Sequence, residues 1–357
     1  MRHALALARR GLGNVWPNPA VGCVITRGGH VVGRGWTQPG GRPHAEVMAL
    51  AGAGAAAKGA TAHVSLEPCA HTGKSPPCTG ALIAVGVSRV VVATGDPDPR
   101  VNGRGIAALR AAGIEVRTGV LEAEARELNR GFILRVTAAR PFLTLKLAAS
   151  FDGRIATATG ESRWITGAEA RHQVHGLRLS HDAVMVGGGT ARADDPALTV
   201  RGFGAVRQPV RVVLARGLDL AETGTLAEGA AAPPLWLLHG PDADPGRIAR
   251  WTARGARCLA VRLGADGRLD PAAALAVLAD EGLTRVFCEG GGVLGAALLG
   301  ADLVDELVGF TAGLALGADG VPSLGALGLA RLVDAPRFTL AGSRDVGGDL
   351  MHRWRRV

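Results

Sequence analysis

One histidine, one glutamate and two cysteines near the start of the chain have the types and the spacing of a catalytic zinc site. They are His44 and Glu46, separated by one alanine, then Cys69 after Pro68, and finally Cys78. Such a site needs three nitrogen or sulfur ligands, an open fourth position for water, and a carboxylate that moves protons without binding the metal. We predict that His44, Cys69 and Cys78 bind Zn²⁺ and that Glu46 is the catalytic proton shuttle of a hydrolytic deamination.

The flanking sequence predicts that helix ends position these side chains. An alanine-rich stretch after a proline predicts a helix over 45–57 with Glu46 in its first turn. Residues 61–66 predict a strand, and Pro68 predicts a second helix with Cys69 in its first turn. Because helix N-termini carry partial positive charge, both would favour thiolate ligands and a deprotonated water as nucleophile toward an amino-bearing carbon of a heterocycle.

Two other interpretations of the same residues remain open. A structural zinc site closes all four positions with protein ligands, and His63 and His71 are the spare candidates. The two cysteines could instead pack in the core beside an unrelated histidine. The common deaminase pattern has two residues between its cysteines, whereas the segment 70–77 intervenes here. Its prolines predict that Cys78 lies at the start of the next helix, over 79–85.

Composition excludes several classes of protein. The 357 residues are 47% hydrophobic and 20% charged, as expected for a globular chain of about two domains at roughly 150 residues each. Five cysteines without a paired framework indicate a reducing compartment, with core packing for Cys23, Cys258 and Cys288. The chain has no apolar run of membrane-spanning length, and residues 1–5 do not begin a signal peptide, so we expect no membrane contact and a cytoplasmic location.

The formal net charge of +9 raises the question of nucleic-acid binding. Basic residues are spread along the chain apart from the short tail 353–356, and with 4% aromatic residues and no tyrosine there is little to stack bases on. We therefore predict no nucleic-acid partner and an affinity for small phosphorylated anions. Of the 40 basic residues, Lys58, Lys74 and Lys146 are the lysines. Lys74, between the two cysteines, is either a phosphate contact or an exposed loop residue.

Strand and helix signals predict two domains, residues 1–140 and 141–357. In the first domain the order β-β-α-β-α-β-α-β predicts a mixed sheet with helices on its faces. Its last helix should end at Arg140, because the residue before a proline is driven out of the helical region. The predicted strands cover 18–25, 30–35, 61–66, 89–94 and 114–118, and the predicted helices cover 45–57, 79–85, 103–112 and 121–139.

The second domain also alternates strands with helices, and we predict an α/β fold for it. Thr166 and Glu169 form a capping box that predicts a helix to about residue 180. The other predicted elements are strands over 141–148, 183–186, 210–214, 235–238, 258–263 and 285–288 and a helix over 293–299.

Two glycine clusters of the second domain are candidate anion sites. Residues 289–292 lie between a strand and a helix, where free backbone N–H groups could meet an anion, and 187–190 follow another strand. There is no G-x-G-x-x-G pattern of a Rossmann fold, and a tight turn is the alternative explanation. The Asp194–Asp195 pair that follows is either a turn or includes a buried carboxylate with Arg192 or Arg201 as its partner.

These motifs together resemble those of a known family, the bifunctional deaminase-reductases of riboflavin biosynthesis, over nearly the whole chain. The long spacing between the cysteines is what this family shows. The resemblance rests on Pro17-Asn18-Pro19-x-Val21-Gly22-Cys23-Val24-Ile25, His44-Ala45-Glu46, Leu66-Glu67-Pro68-Cys69 through Pro76-Pro77-Cys78, Leu145-Lys146-Leu147-Ala148-Ala149-Ser150-Phe151-Asp152-Gly153-Arg154, Gly160-Glu161-Ser162-Arg163-Trp164-Ile165-Thr166, Ala193-Asp194-Asp195-Pro196-Ala197-Leu198-Thr199-Val200-Arg201 and Glu289-Gly290-Gly291.

The resemblance implies a cytidine-deaminase-like first domain and a dihydrofolate-reductase-like α/β second domain. It implies that zinc hydroxide releases the 2-amino group of 2,5-diamino-6-ribosylamino-4(3H)-pyrimidinone 5′-phosphate as ammonia, and that NADPH then reduces the ribosyl group to ribityl by hydride transfer to C1′. It places the reductase substrate at Ser162, Arg178, Leu198, Arg201 and Glu289. It places NADPH at Ala148, Trp164, Thr190, Asp194, Gly291, Gly292, Val293, Leu294, Gly295, Ala296 and Ala297.

Elementary chemistry supports several of these roles. Arg178 and Arg201 suit bidentate binding of a phosphate, and Asn18 can read a pyrimidine edge through its amide. Where the family has a serine after strand 210–214, this chain has Ala215-Arg216. We predict that Arg216 meets the 2′-phosphate of NADPH instead, so that NADPH is preferred to NADH. We also expect a homo-oligomer that acts on a small phosphorylated pyrimidine.

Two other functions share part of this pattern. A tRNA or nucleobase zinc deaminase with an unrelated C-terminal nucleotide-binding domain would have the same zinc motif, but a tRNA enzyme needs an RNA-binding surface, and the second half stays unexplained. A non-enzymatic zinc scaffold would tolerate Glu46→Ala without loss of function.

Overall fold

The chain divides into two units, Met1–Ala139 and Arg140–Val357, beside the Arg140–Pro141 step where the sequence predicts a domain boundary. The computed structural model describes residues 1–73 and 75–357, so Lys74, predicted to contact phosphate, lies outside the described residues. Within those two ranges, no helix combines the length and the apolar character that a membrane crossing requires.

The first unit is a mixed sheet with helices, as the sequence predicts. Its strands are β1 (Gly22–Arg27), β2 (His30–Trp36), β3 (Thr61–Val64), β4 (Arg89–Val92) and β5 (Glu115–Arg117), and its helices are α1 (Arg2–Ala8), α2 (Ala45–Ala53), α3 (Cys78–Val85), α4 (Arg104–Ala111), α5 (Glu122–Leu128) and α6 (Arg130–Ala138). Over the described part of the chain the sheet has the order β2-β1-β3-β4-β5. Strand β1 is antiparallel to β2 and β3, whereas β3, β4 and β5 run parallel.

Two glycines allow α2 to lie directly on β2, and this contact places the helix turn that carries Glu46. A Cβ atom at Gly35 would lie 2.2 Å from the carbonyl oxygen of Ala45, and one at Gly33 would lie 2.2 Å from that of Ala49. Both distances are far below van der Waals contact, and packed interiors tolerate little added volume. A larger residue at either position would therefore push the helix away from the sheet.

The predicted helix at Pro68 does not form. Cys69 lies in a loop, and the next helix, α3, begins at Cys78. A helix starting at Pro68 would meet Pro76 before completing its third turn, and a proline inside a helix removes a hydrogen bond and clashes with the preceding turn. The prediction that Cys69 lies in a helix turn is therefore wrong, whereas the helix beginning after Pro77 is confirmed.

The predicted helix over 121–139 is in fact two helices, α5 and α6, with Asn129 between them. The Asn129 backbone departs from helical values, with φ −94° and ψ 14°. Its buried side chain accepts a hydrogen bond from the N–H of Ala20 at 3.0 Å and donates one to the Ala20 carbonyl at 3.1 Å. This distant partner is invisible to a helical pattern, so the pattern predicts one helix where the structure has two.

The second unit is a larger α/β layer. Its strands are β6 (Phe142–Ser150), β7 (Arg154–Ala156), β8 (Ala183–Gly187), β9 (Val210–Leu214), β10 (Leu235–His239), β11 (Arg257–Ala260), β12 (Arg285–Cys288), β13 (Glu306–Ala312), β14 (Val321–Pro322), β15 (Phe338–Val346) and β16 (Asp349–Arg356). Its helices are α7 (Ala168–Leu179), α8 (Gly188–Asp194), α9 (Thr225–Glu228), α10 (Pro245–Ala253), α11 (Pro271–Asp280) and α12 (Gly292–Gly300).

The main sheet of this unit has the order β11-β10-β9-β8-β12-β6-β13-β16-β15. Neighbouring strands from β11 to β13 are parallel, and β16 and β15 add an antiparallel edge. Buried branched and aromatic residues of these strands pack against α7 in one core that includes Val308 and Phe310. The predicted alternation of strands and helices is confirmed by this architecture.

One local prediction for the second unit is wrong, and one strand was not predicted. The capping box does not form, because Gly167 is the N-cap of α7 and its N–H donates to Asp349 Oδ2 at 2.6 Å, with no side-chain cap from Thr166. The basic tail 353–356 is part of strand β16, paired with β13 and β15. Both features arise from pairings between residues far apart in the chain.

Candidate active sites

The three predicted zinc ligands converge on one point. Nδ1 of His44 lies 3.3 Å from Sγ of Cys78 and 3.7 Å from Sγ of Cys69, and the three ligand atoms all lie within 4.8 Å of one another. In a tetrahedral site with metal–ligand bonds of about 2.0–2.3 Å, nitrogen and sulfur ligands stand about 3.6 Å apart. The donor set therefore fits a single Zn²⁺ ion. Among residues 1–73 and 75–357 it is the only such cluster of His, Cys, Asp or Glu side chains.

Two helix N-termini and one loop supply these ligands. His44 is the N-cap of α2 and Cys78 is the first residue of α3. Cys69, in the loop, accepts a hydrogen bond from the backbone N–H of Cys78 at 3.3 Å. Hydrogen bonds from the Cys78 thiol and from His44 lower the pKa of Cys69 to about 4, whereas donation to Cys69 raises the pKa of Cys78. The thiolate form of Cys69 is thus already favoured where the three ligands converge.

Glu46 lies beside the ligands without belonging to their cluster. It is in the first turn of α2 and is 3% exposed. Burial raises the pKa of its carboxyl above the usual value, and the negative charge of Cys69 raises it further. A group in this position can exchange protons with a ligand at the metal while leaving the three donors in place.

The structural-zinc alternative has no support within the described residues. Neither His63 nor His71 belongs to the ligand cluster. The ring of His63 lies on β3 and contacts the Thr26 hydroxyl at 3.2 Å. The arrangement is therefore that of an open site with three protein ligands, the type found in catalytic zinc centres.

Glu67 fixes the loop that carries Cys69, a role that the sequence analysis missed. This carboxylate is 4% exposed and has no cation as hydrogen-bond partner in the described part of the chain. It accepts hydrogen bonds at 2.9–3.3 Å from four backbone N–H groups at and before the start of α4, those of Asp96, Gly103, Gly105 and Ile106. A glutamate directly before Pro-Cys at the end of an apolar strand is the signal that could have indicated it.

Asn18, predicted to contact the pyrimidine through its amide, is half-buried and bonds to the segment that leads into α2. Its amide N–H donates to the carbonyl of Gly41 at 2.7 Å, shortly before His44 in the chain. This bond fixes the side chain and leaves the amide oxygen for a ligand. Contact with a pyrimidine stays a prediction.

Two cavities of the second unit contain most of the residues predicted to bind the reductase substrate and NADPH. The long cavity, of about 1010 Å³, runs past the two glycine clusters to residues 214–217 and 266–271. The short cavity, of about 730 Å³, lies against α7 and is lined by residues 162–166 and 194–198. Both cavities are lined by Lys146, Ala148, Ser162, Thr190, Asp194 and Glu289, so they meet at one place.

The predicted residues divide unequally between the cavities. All five residues predicted for the reductase substrate line the short cavity: Ser162, Arg178, Leu198, Arg201 and Glu289. Of those predicted for NADPH, the long cavity is lined by Ala148, Thr190, Asp194, Arg216, Gly291, Gly292, Val293, Leu294 and Ala297. Trp164 lines the short cavity instead, where Arg171 stacks over its ring at 4.4 Å. Gly295 packs toward Leu145 and Leu324, and Ala296 is 7% exposed, so neither lines a cavity.

Arg178 is already paired with protein groups, so it is less available for the phosphate binding that the sequence predicts. Its guanidinium forms a two-pronged ion pair with Glu289, at 2.5 and 3.0 Å, and donates to the carbonyl of Thr199 at 2.7 Å. Burial would raise the pKa of Glu289, but the charge and hydrogen bonds of Arg178 outweigh it, and the pKa lies below the usual value. Arg201 forms no ion pair within the described residues, so it is the freer cation for a phosphate.

The two consecutive aspartates have different surroundings. Asp195 is the C-cap of α8, and it accepts the backbone N–H groups of Thr225 and Leu226 at 2.6 and 2.9 Å. Asp194 lines both cavities. The partners suggested by the sequence are not used by Asp195, since Arg192 pairs with Asp219 at 3.0 Å instead.

Lys146 is the principal site residue that the sequence analysis did not assign. It lies on β6 where the two cavities meet. Burial lowers its pKa, as does the charge of Arg178, while Glu289 and Asp194 act in the opposite direction. A lysine inside an apolar strand of an arginine-rich chain was the available signal, since burying an ammonium requires a reason.

Comparisons with known proteins decide the family. Residues 141–352 match the model of the RibD C-terminal domain, and residues 1–94 match the cytidine and deoxycytidylate deaminase zinc-binding region. The riboflavin biosynthesis protein RibD of Escherichia coli is 41% identical over 98% of this chain and 96% of its own length, and that of Bacillus amyloliquefaciens is 40% identical over 98% and 94%. This chain belongs to the RibD family.

Solved structures agree with that assignment. Acinetobacter baumannii RibD superposes with a TM-score of 0.90 at 36% identity, covering 100% of this chain and 97% of that one. A Thermotoga maritima protein described as a diaminohydroxyphosphoribosylaminopyrimidine deaminase/5-amino-6-(5-phosphoribosylamino)uracil reductase gives a TM-score of 0.86 at 34% identity, covering 100% and 97%. RibD proteins are bifunctional, and this chain has both the zinc-binding deaminase domain and the reductase domain. The alternative of an unrelated C-terminal domain is thereby wrong.

Proposed function

We propose that this chain catalyses two successive steps of riboflavin biosynthesis on one phosphorylated pyrimidine. The first unit removes the 2-amino group of 2,5-diamino-6-ribosylamino-4(3H)-pyrimidinone 5′-phosphate, and the second reduces the ribosyl group of the product with NADPH. The observation that supports the first step is the open cluster of His44, Cys69 and Cys78 beside buried Glu46. The one that supports the second is Lys146 at the junction of two cavities.

In the deaminase site, each side chain has a separate task. Bound zinc would activate water toward the amino-bearing carbon and would be held by His44, Cys69 and Cys78. Glu46 accepts a proton and returns it to the leaving nitrogen, so that ammonia departs as a neutral molecule. Glu67 holds the Cys69 loop in position through the N-terminus of α4.

In the reductase site, a hydride acceptor in the short cavity would lie next to a dinucleotide in the long cavity. Bound NADPH would supply the hydride to C1′ and end as NADP⁺. The bond from C1′ to the ring oxygen would break, and that oxygen would take a proton to become the 4′-hydroxyl. Lys146 is the group in place to donate that proton. Glu289, fixed by Arg178, orients the substrate, and Arg201 binds its phosphate.

Glu46→Gln tests the first step. It removes the proton shuttle but keeps the shape of the side chain and all three ligands. Ammonia release should fall by about 10²- to 10⁴-fold while zinc content stays unchanged. Glu124→Gln, an exposed position on α5, is the matched control and should behave as the unchanged protein. Near-normal ammonia release from Glu46→Gln would contradict the assignment.

Arg201→Ala tests the second step and the separation of the two activities. Reduction of the deaminated intermediate should be crippled, because the phosphate loses its free arginine, while deamination of the first substrate should continue. Glu46→Gln should show the reverse pattern, and the double variant should deviate from additivity by no more than about 0.5 kcal/mol. Loss of both activities from either single change, in protein with an unchanged circular dichroism spectrum, would mean a composite site.

The protein is also proposed to form a homo-oligomer through the second unit. One face of β13, β16 and β15 carries exposed apolar side chains, with Leu340 53% and Leu350 47% exposed, and Phe151 beside it is 80% exposed. Apolar patches of this kind are typical of protein interfaces. Sedimentation analysis should give a mass above that of one chain, and Leu340→Asp should lower it.

A further inference from the structure

The end of the long cavity that lies away from Lys146 is lined by two arginines, Arg216 and Arg268. Arg216 follows β9, and Arg268 lies in the loop between β11 and α11. Both line the cavity. The Arg216 guanidinium donates to the carbonyl of Gly267, the residue directly before Arg268, so the two side chains start from touching segments.

These arginines lie at the end of the long cavity that the adenosine half of a dinucleotide would occupy. The hydride-transfer end is the one shared with the short cavity, at Lys146 on β6. In the sheet, β9 is separated from β6 by β8 and β12, which amounts to three strand spacings or roughly 14 Å. A dinucleotide whose nicotinamide lies at Lys146 therefore has its adenosine half toward Arg216 and Arg268.

The two arginines differ in how firmly they are held. Arg216 pairs with Asp242 at 2.5 Å, with both side chains about half exposed, at 49% and 51%. The nearest carboxylate to Arg268 is that of Asp266, at 3.9 Å, and the Arg268 side chain is 68% exposed. Exposed ion pairs of this kind contribute little to stability, so a dianionic phosphate can displace either carboxylate.

The turn after β10 places Asp242 against Arg216. Gly240 donates its N–H to the carbonyl of Arg216 at 2.9 Å, and a Cβ at Gly240 would lie 2.6 Å from Asp242 Oδ1 and 3.1 Å from Arg216 Cγ. The turn therefore needs glycine for the aspartate to reach the arginine. Asp242 itself does not line the cavity, so its effect on a ligand passes through Arg216.

We propose that Arg216 and Arg268 together bind the 2′-phosphate of the dinucleotide, and that Asp242 competes with this phosphate for Arg216. The inference rests on the proposed reductase function. To Arg216, which the sequence already predicts to meet the 2′-phosphate, it adds Arg268 as a second ligand and Asp242 as a competitor. NADH has no 2′-phosphate and leaves both guanidinium groups with only their carboxylate partners. Asp242 is thus a positioning residue that sets how strongly the phosphate is preferred.

The test measures binding and not turnover. Adenosine 2′,5′-bisphosphate and adenosine 5′-monophosphate are titrated into the full chain by calorimetry at fixed ionic strength. Arg268→Ala and Arg216→Ala should each weaken binding of the bisphosphate by about 10- to 100-fold, the range of a charge-assisted hydrogen bond. Binding of the monophosphate should stay unchanged. Asp242→Asn should tighten bisphosphate binding by about two- to five-fold, the strength of an exposed ion pair.

Arg254→Ala is the matched control. Arg254 also pairs with a carboxylate, that of the partly exposed Glu222 at 3.3 Å, but does not line the cavity, so its loss should leave both affinities unchanged. Unaltered bisphosphate binding in Arg268→Ala or in Asp242→Asn would overturn the inference. Equal binding of NADPH and NADH by the unchanged protein would overturn it too but leave the reductase function standing. Failure to bind either dinucleotide would overturn both.

Discussion

Replacing Lys146 by methionine should abolish reduction and leave deamination intact. The ammonium group lies where the long and short cavities meet, among Glu289, Asp194 and Arg178. In the proposed reaction it gives a proton to the ring oxygen as C1′ receives hydride. Loss of a positioned general acid lowers kcat by about 10²- to 10⁴-fold. Methionine has nearly the same length and can remain in the strand.

The pH profile separates proton donation from charge alone. Burial lowers the pKa of Lys146. Because the protonated form is the donor, kcat for reduction should fall as pH rises through this lowered pKa, at a lower pH than that at which an ordinary lysine titrates. Lys146→Arg keeps the positive charge but holds its proton at every accessible pH. Compared with Lys146→Met, this variant should bring KM back toward the value of the unchanged protein, while kcat stays low.

The assay follows NADPH absorbance with the deaminated intermediate as substrate, at several pH values. Lys58→Met, a loop position in the other unit, is the control and should not change reduction. A buried lysine with a lowered pKa destabilises the folded state at pH values below the pKa of the unfolded lysine. Lys146→Met should therefore show a Tm no lower than that of the unchanged protein. A kcat within three-fold of the unchanged value, which is about 0.7 kcal/mol of activation free energy, would refute the role of Lys146.

The remaining predictions concern the metal and the fold. Cys78→Ser should lower zinc occupancy as much as Cys69→Ser does, by metal analysis of purified protein, whereas His71→Ala should remain loaded; the opposite pattern would put His71 in the ligand set. Arg140→Ala should destabilise the second unit by about 3 kcal/mol in urea unfolding, because it leaves the carboxylate of Asp305, 2% exposed, without its cation. An unchanged midpoint would mean that the pair contributes no net stability.

The zinc site could be predicted from sequence because its chemistry is local. His44 and Glu46 are fixed by the first turn of one helix, and Cys78 by the start of another. The helix predicted at Cys69 was wrong, yet the ligand assignment did not depend on it. The Cys69 loop is held in place by hydrogen bonds from backbone N–H groups at the N-terminus of α4 to the carboxylate of Glu67. These donors lie much further along the chain. A motif identifies the ligands, but it does not reveal the hydrogen bonds that support them.

The reductase site depends instead on strand order, which the sequence does not display. The chain places β8, β9, β10 and β11 successively outward, then returns to insert β12 between β8 and β6, and finally adds β13 on the other side of β6. In open parallel sheets ligands bind at the carboxyl ends of the strands where such a reversal occurs. Here that place lies between β8 and β6.

The glycine clusters follow from this topology. Residues 187–190 come after β8 and 289–292 after β12, so both are at the carboxyl ends of adjacent parallel strands. Their backbones therefore line one cavity, although each cluster alone resembled an ordinary turn. Lys146, on β6 beside β12, completes the same crevice. Once β12 is known to lie between β8 and β6, two ambiguous turns and one unassigned lysine become a single site, without any Rossmann motif.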